Sequence, residues 1–81
     1  MRITVLFHSY FKNLTACSDL SQELPAGATV HDLYRSLAAQ FPKLAAMEKS
    51  TLIAVGVDYA ARDYVLKEGD EVSLFPPVQG G

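Results

Sequence analysis

The 81-residue chain is 49% hydrophobic with a net charge of −2, which describes one domain burying roughly 60–65% of its unfolded surface around a single modest core. Cys17 is the only cysteine, so no internal disulfide is possible and a reducing compartment suits the chain. No cluster of Lys and Arg interleaved with aromatics points to nucleic acid; Met1-Arg2 leads straight into strand-like sequence, and no run of about eighteen apolar residues points to a membrane. The expectation is a soluble, cytoplasmic protein.

Residues 2–8 alternate with period two, so that Ile3, Val5 and Phe7 form one face of a first strand and Thr4, Leu6 and His8 the other. Lys12-Asn13 reads as a turn within 9–15, and Cys17 to Leu24 as a second, more polar strand completing a hairpin. Pro25-Ala26-Gly27 then breaks the pattern. Thr29, with Asp32 three positions on, resembles a capping box, and Val30, Leu33, Leu37 and Phe41 lie on one stripe of the helix that follows. Pro42 stops that helix by pushing Phe41 out of the α region. Leu44 to Lys49 adds a short helical turn, and Thr51 to Val57 returns to strand, with Leu52, Ala54 and Gly56 on one side. Residues 58–63 read as a loop and Tyr64-Val65-Leu66 as a short strand. Lys67-Glu68-Gly69-Asp70 is a turn in which the glycine supplies positive φ. Glu71 to Phe75 is the last strand, Val72 and Leu74 on one face, Ser73 and Phe75 on the other.

One main helix on one face of a mixed sheet of about five strands is an α+β architecture, the β-grasp. In that fold the first and last strands are central neighbours, so Leu6 and Phe75 would share the face away from the helix as an apolar patch, the kind of surface that takes a partner. The charge is uneven. Residues 58–71 hold Asp58, Asp63, Glu68, Asp70 and Glu71 against only Arg62 and Lys67, while residues 1–57 are slightly basic. That acidic end suits a partner with a basic docking surface.

Residues 1–75 make the domain and 76–81 an arm. Pro76 and Pro77 end the last strand because proline removes a backbone donor and fixes φ, and they start Val78, Gln79, Gly80 and Gly81 on an extended path. Six extended residues reach roughly 20 Å. Gly80 and Gly81 carry no side chain, so the terminal carboxylate can enter a narrow channel and offer its carbonyl carbon without a Cβ in the way. The alternative is a frayed terminus, the usual fate of terminal glycines.

No enzyme constellation competes with this reading. His8 and His31 are far apart in sequence, Cys17 has no neighbour at metal-ligand spacing, no phosphate loop or nucleophile elbow occurs, and the acids of 58–71 read as a solvated face. No metal site is expected. The two histidines read as ordinary surface or strand residues.

The run Gly69-Asp70-Glu71-Val72-Ser73-Leu74-Phe75-Pro76-Pro77-Val78-Gln79-Gly80-Gly81, with Thr4-Val5-Leu6-Phe7 and Ala54-Val55-Gly56-Val57 upstream, resembles the ubiquitin-like sulfur carriers, the family of the molybdopterin synthase small subunit and the thiamine-pathway carrier. The likeness covers the whole length and is most specific in the final run; Gly56 departs from it, standing where the family commonly has Asn. The resemblance implies that an E1-like adenylating enzyme uses ATP to activate Gly81, that a separate sulfur donor displaces AMP to leave a terminal thiocarboxylate, and that the large synthase subunit receives the arm. It implies no cofactor bound by the chain itself and no side-chain catalysis, only sulfur supplied for the dithiolene of molybdopterin. A carrier for the thiamine, cysteine or tungstopterin route, a ubiquitin-like modifier joined to lysines through Gly81, and a plain interaction domain with an unmodified terminus stand as alternatives.

Overall fold

The computed structural model describes residues 1–77. Its elements in chain order are β1 (Arg2–Phe7), α1 (Phe11–Thr15), β2 (Asp19–Glu23), α2 (Val30–Gln40), a 3₁₀ helix over Pro42–Ser50, β3 (Leu52–Val55), β4 (Asp58–Tyr59) and β5 (Glu71–Phe75). The sheet runs β2-β1-β5-β3-β4, with β1 and β5 parallel at its centre and the other neighbours antiparallel. This is the β-grasp arrangement expected from the pattern.

The alternation of β1 has the consequence period two demands. Ile3, Val5 and Phe7 join Val72 and Leu74 of β5, Ile53 of β3, and Val30, Leu33, Tyr34 and Leu37 of α2 in one core, each at most 2% exposed. The start of α2 is held by the predicted capping box: the Asp32 N–H donates to Thr29 Oγ1 at 3.2 Å, and the Thr29 N–H donates to Asp32 Oδ2 at 2.9 Å. Two further orphan donors of its first turn, the Val30 and His31 N–H groups, reach the carbonyls of Tyr64 and Arg62, each at 2.9 Å. Phe41 leaves the helix at φ −128° ahead of Pro42. The predicted helical turn after it is a 3₁₀ helix, tied to α2 where the Tyr34 hydroxyl donates to the Leu44 carbonyl at 2.7 Å.

Three local expectations are corrected. The stretch around Lys12-Asn13 is no turn but α1, because Phe11 is fully buried and Leu14 packs on the core, and tertiary burial of that i, i+3 pair overrides a polar tetrapeptide. The helix ends at Ala16 in the left-handed region, φ 61°, with the Thr15 hydroxyl donating to the carbonyls of Phe11 and Cys17. The 58–63 loop begins as strand β4: Val55 pairs with Asp58 across a two-residue loop whose first residue, Gly56, takes φ +64°, the position where a type II′ hairpin calls for glycine. Tyr64-Val65-Leu66 makes only a single bridge, Val65 to Thr29, and its main chain secures the entry to α2 instead of joining the sheet.

The turn before β5 is as predicted. Gly69 sits at φ +83°, and Asp70 Oδ2 accepts the Lys67 N–H at 2.8 Å, closing the turn that starts the central strand.

Candidate functional site

The helix covers one sheet face and leaves the other open, and strand register decides which side chains meet there. Leu6 lies beside Ser73, Ser73 beside Ala54, and Ala54 beside Tyr59, which makes one row across β1, β5, β3 and β4. Phe75 lies beside Leu52 in the next row. Leu6 and Phe75 are half-buried, while Leu52, Tyr59 and Val57 at the hairpin tip are 42%, 75% and 96% exposed. Between the rows, Ala54, Gly56, Val57, Tyr59, Ser73 and Phe75 line a shallow concavity of about 350 Å³. The open face is therefore apolar over β5, β3 and β4 as well as at Leu6. Alternation alone puts Leu52 and Ala54 on a common side, but only the sheet order seats that side next to Phe75, which is why the sequence pointed to Leu6 and Phe75 and missed Leu52, Val57 and Tyr59.

The chain leaves this face at the end of β5. Phe75 is the last strand residue, Pro76 is buried and Pro77 half-buried, so packing against the body extends to the first position of the predicted arm. Val78, Gln79, Gly80 and Gly81 lie outside the described residues. His8 departs from its reading as an ordinary strand residue. It follows β1, its N–H donates to the Leu74 carbonyl at 3.2 Å, and its imidazole stacks on the Phe75 ring with centroids 4.3 Å apart and planes 13° from parallel. Its Nε2 is shut from solvent with no hydrogen-bond partner among the described residues.

The acidic end is partly committed to its own backbone. Besides Asp70, Glu68 accepts the Arg2 N–H at 3.0 Å, while Asp58, Asp63 and Glu71 stay exposed, beside the hairpin, in the 61–64 loop and at the start of β5. Accepting a hydrogen bond leaves a carboxylate charged, so exposed Glu68 adds to the field of those three that a basic partner would sense. His31 lies on the far side, its Nδ1 3.0 Å from Glu48 Oε2. The half-buried Cys17 thiol contacts Thr15 Oγ1 at 3.6 Å. Among the described residues no three His, Cys, Asp or Glu side chains gather as a metal site would need, and no helix is long and apolar enough to cross a membrane. What the described face offers chemically is an apolar landing surface beside the point where the chain departs.

The sequence matches the ThiS family model over residues 5–81. It is 36% identical to the molybdopterin synthase sulfur carrier subunit of Escherichia coli strain K12, over 98% of this chain and 99% of that protein. The fold superposes on a molybdopterin converting factor subunit 1 from Pyrococcus furiosus with a TM-score of 0.88 at 30% identity, covering 96% of this chain and 99% of that one. A chain from the complex of subunits 1 and 2 of the Helicobacter pylori molybdopterin-converting factor shares the fold, with a TM-score of 0.71 at 24% identity and all of both chains covered.

Proposed function

The chain belongs to the ThiS family, and from that membership we propose that it is a sulfur carrier acting as the small subunit of a molybdopterin synthase. One observation carries the reading. The family match spans residues 5–81, so the Gly80-Gly81 end of the chain lies within the matched length, which supports a role for it. The reactive group is the α-carboxylate of Gly81. A carboxylate is a poor acyl donor in water, so an E1-like enzyme first joins it to AMP from ATP, releasing pyrophosphate; sulfide-level sulfur released by the donor then attacks the carbonyl carbon, the C–O bond to AMP breaks as the C–S bond forms, and a thiocarboxylate remains. Two glycines at the tip let the backbone enter the active sites of both the activating enzyme and the large synthase subunit without a side-chain clash.

The body is the docking unit, residues 1–75, and the arm is 76–81. Leu6 and Phe75, together with Leu52, Val57 and Tyr59, form the surface that desolvates against the partners, and exposed Asp58 and Glu71 favour partners with basic rims. The chain supplies sulfur and binds no cofactor; ATP is consumed by the activating enzyme. The Helicobacter pylori neighbour, solved as a complex of subunits 1 and 2, supports a large-subunit partner.

The test is intact-mass measurement after incubation with the activating enzyme of the same pathway, ATP and a sulfur donor. Conversion should add the mass difference between sulfur and oxygen, and deleting Gly81 should abolish it while leaving the melting temperature unchanged, because chain termini generally contribute little to stability. Higher-mass conjugates on lysines would mean a modifier, and conversion undiminished by the deletion would refute the assignment of Gly81.

A further inference from the structure

The open face is dented where two small residues stand between larger ones. Register sets Ser73 of β5 beside Ala54 of β3 as the floor of the dent. Tyr59 lies beside Ala54 on β4, and Phe75 comes two positions after Ser73 on the same side of β5, so two aromatic rings wall a hollow of about 350 Å³. Gly56 lines a third side, and its N–H donates to the Glu71 carbonyl at 2.9 Å, which puts Glu71 at the rim. Glu71 shares the parity of Ser73, so its side chain stands on the open face, exposed and in no ion pair with any described residue. Ser73 is only 8% exposed, and its hydroxyl has no hydrogen-bond partner among the described residues.

Resting on the carrier reading above, we propose that this hollow receives an arginine side chain of the large synthase subunit, its stem over Ala54 between the Tyr59 and Phe75 rings and its guanidinium on the Ser73 hydroxyl and the Glu71 carboxylate. The lining selects this occupant. A wholly apolar side chain would strip the last water from the Ser73 hydroxyl and return no hydrogen bond, and a buried hydroxyl left unpaired weakens the complex. An acidic side chain would meet the like charge of Glu71. Lysine supplies a positive charge, but its ammonium is a compact, strongly hydrated point that loses more hydration against aromatic walls. A guanidinium is planar and weakly hydrated, stacks on aromatic faces, and carries five N–H groups in fixed directions, enough for the serine oxygen and the carboxylate at once. Two positions apart on one strand, Ser73 and Glu71 stand roughly 7 Å from each other along it, a span that one such group bridges with a hydrogen bond at either edge.

Calorimetry of the complex with the large subunit, using Glu71→Gln, Ser73→Ala and the double variant, tests the assignment. Both side chains lack an internal partner among the described residues, so the variants should melt with the parent. Glu71→Gln should raise Kd at least about fivefold and flatten its salt dependence, and Ser73→Ala should raise it about threefold or more. The double variant should lose less than the product of the two, because both groups hold one guanidinium. An unchanged or lower Kd in Ser73→Ala would mean an apolar occupant, and fully multiplicative losses would mean two separate contacts; either overturns the proposal. In the free protein, Nα-acetyl-arginine amide at millimolar concentration should shift the HSQC amide signals of Ala54, Gly56 and Ser73 saturably. Nα-acetyl-lysine amide should bind at least about threefold more weakly, and Glu71→Gln should abolish the response to both. Equal responses to the two probes, or none to either, overturn the arginine assignment without reference to sulfur. Should the parent protein gain no sulfur and bind no large subunit, the carrier reading fails, and the probe titration still decides whether the hollow takes a guanidinium.

Discussion

Replacing Tyr34 with Phe removes one oxygen from the core and tests how the 3₁₀ helix is fixed to α2. The hydroxyl donates its proton to the Leu44 carbonyl at 2.7 Å, and Leu44 is fully buried. The Thr51 hydroxyl lies 3.1 Å from the same oxygen and can donate to it or to the Met47 carbonyl at 2.7 Å, which already accepts the Thr51 N–H at 3.0 Å. In Tyr34→Phe, Thr51 therefore keeps a partner while the Leu44 carbonyl loses its side-chain donor. Net loss of one buried hydrogen bond costs about 0.5–1.5 kcal/mol. At roughly 4–8 °C per kcal/mol for a domain of this size, the melting temperature should fall by about 2–12 °C. Circular dichroism or calorimetry at neutral pH measures it directly. The same oxygen predicts an alkaline signature: burial raises the Tyr34 pKa, the Thr51 hydrogen bond opposes that, and the Glu48 carboxylate adds to it. Because the folded state holds this proton more tightly than the unfolded chain, the contribution is present below the ordinary tyrosine value of about 10 and is lost as pH rises through the folded value. Tyr34→Phe should remove that part of the alkaline slope. A melting temperature within about 2 °C of the parent would refute the hydrogen-bond accounting for the 3₁₀ helix. Sulfur transfer should not change, because Tyr34 lies in the core on the helix side of the sheet.

The capping box and the open face give two further predictions. Hydrogen bonds from the Thr29 N–H and then the Thr29 hydroxyl hold the Asp32 carboxyl below its ordinary range, so this contribution is present above the unfolded carboxyl pKa and is lost as pH falls through the folded one; Asp32→Asn should flatten the acid limb of a pH-stability curve, and an unchanged limb would show that the box does not carry it. Phe75→Asp places a carboxylate on the half-buried apolar face, so affinity for the large subunit, measured by calorimetry, should drop at least about tenfold while the fold persists, and a collapsed melting temperature with unchanged affinity would show that Phe75 acts as core.

Much of the body was legible because its signals are local. The alternation Ile3-Val5-Phe7 and the stripe Val30-Leu33-Leu37 are read within one element, and each stands for burial against the other. Thr29 and Asp32 lie within one helical turn, so their reciprocal hydrogen bonds follow from spacing alone. Gly69 announces its own φ. What escaped depends on contacts outside the window. Phe11 and Leu14 look unremarkable in a polar stretch until the core is there to take them, and Asp58-Tyr59 becomes a strand only because β3 offers it an edge to fold back on.

The sequence by itself determined that a β-grasp body ends in a proline-led, side-chain-free terminus, since alternation, capping, turn chemistry and the missing donor of proline are properties of neighbouring residues. Only the tertiary structure decided that Leu52, Val57 and Tyr59 join Leu6 and Phe75 on the open face, and that His8, just past the end of β1, lies on Phe75, at the end of β5. The parallel pairing of the first and last strands joins residues separated by most of the chain. That pairing is selected by the burial of a whole sheet against one helix, and no local pattern encodes it.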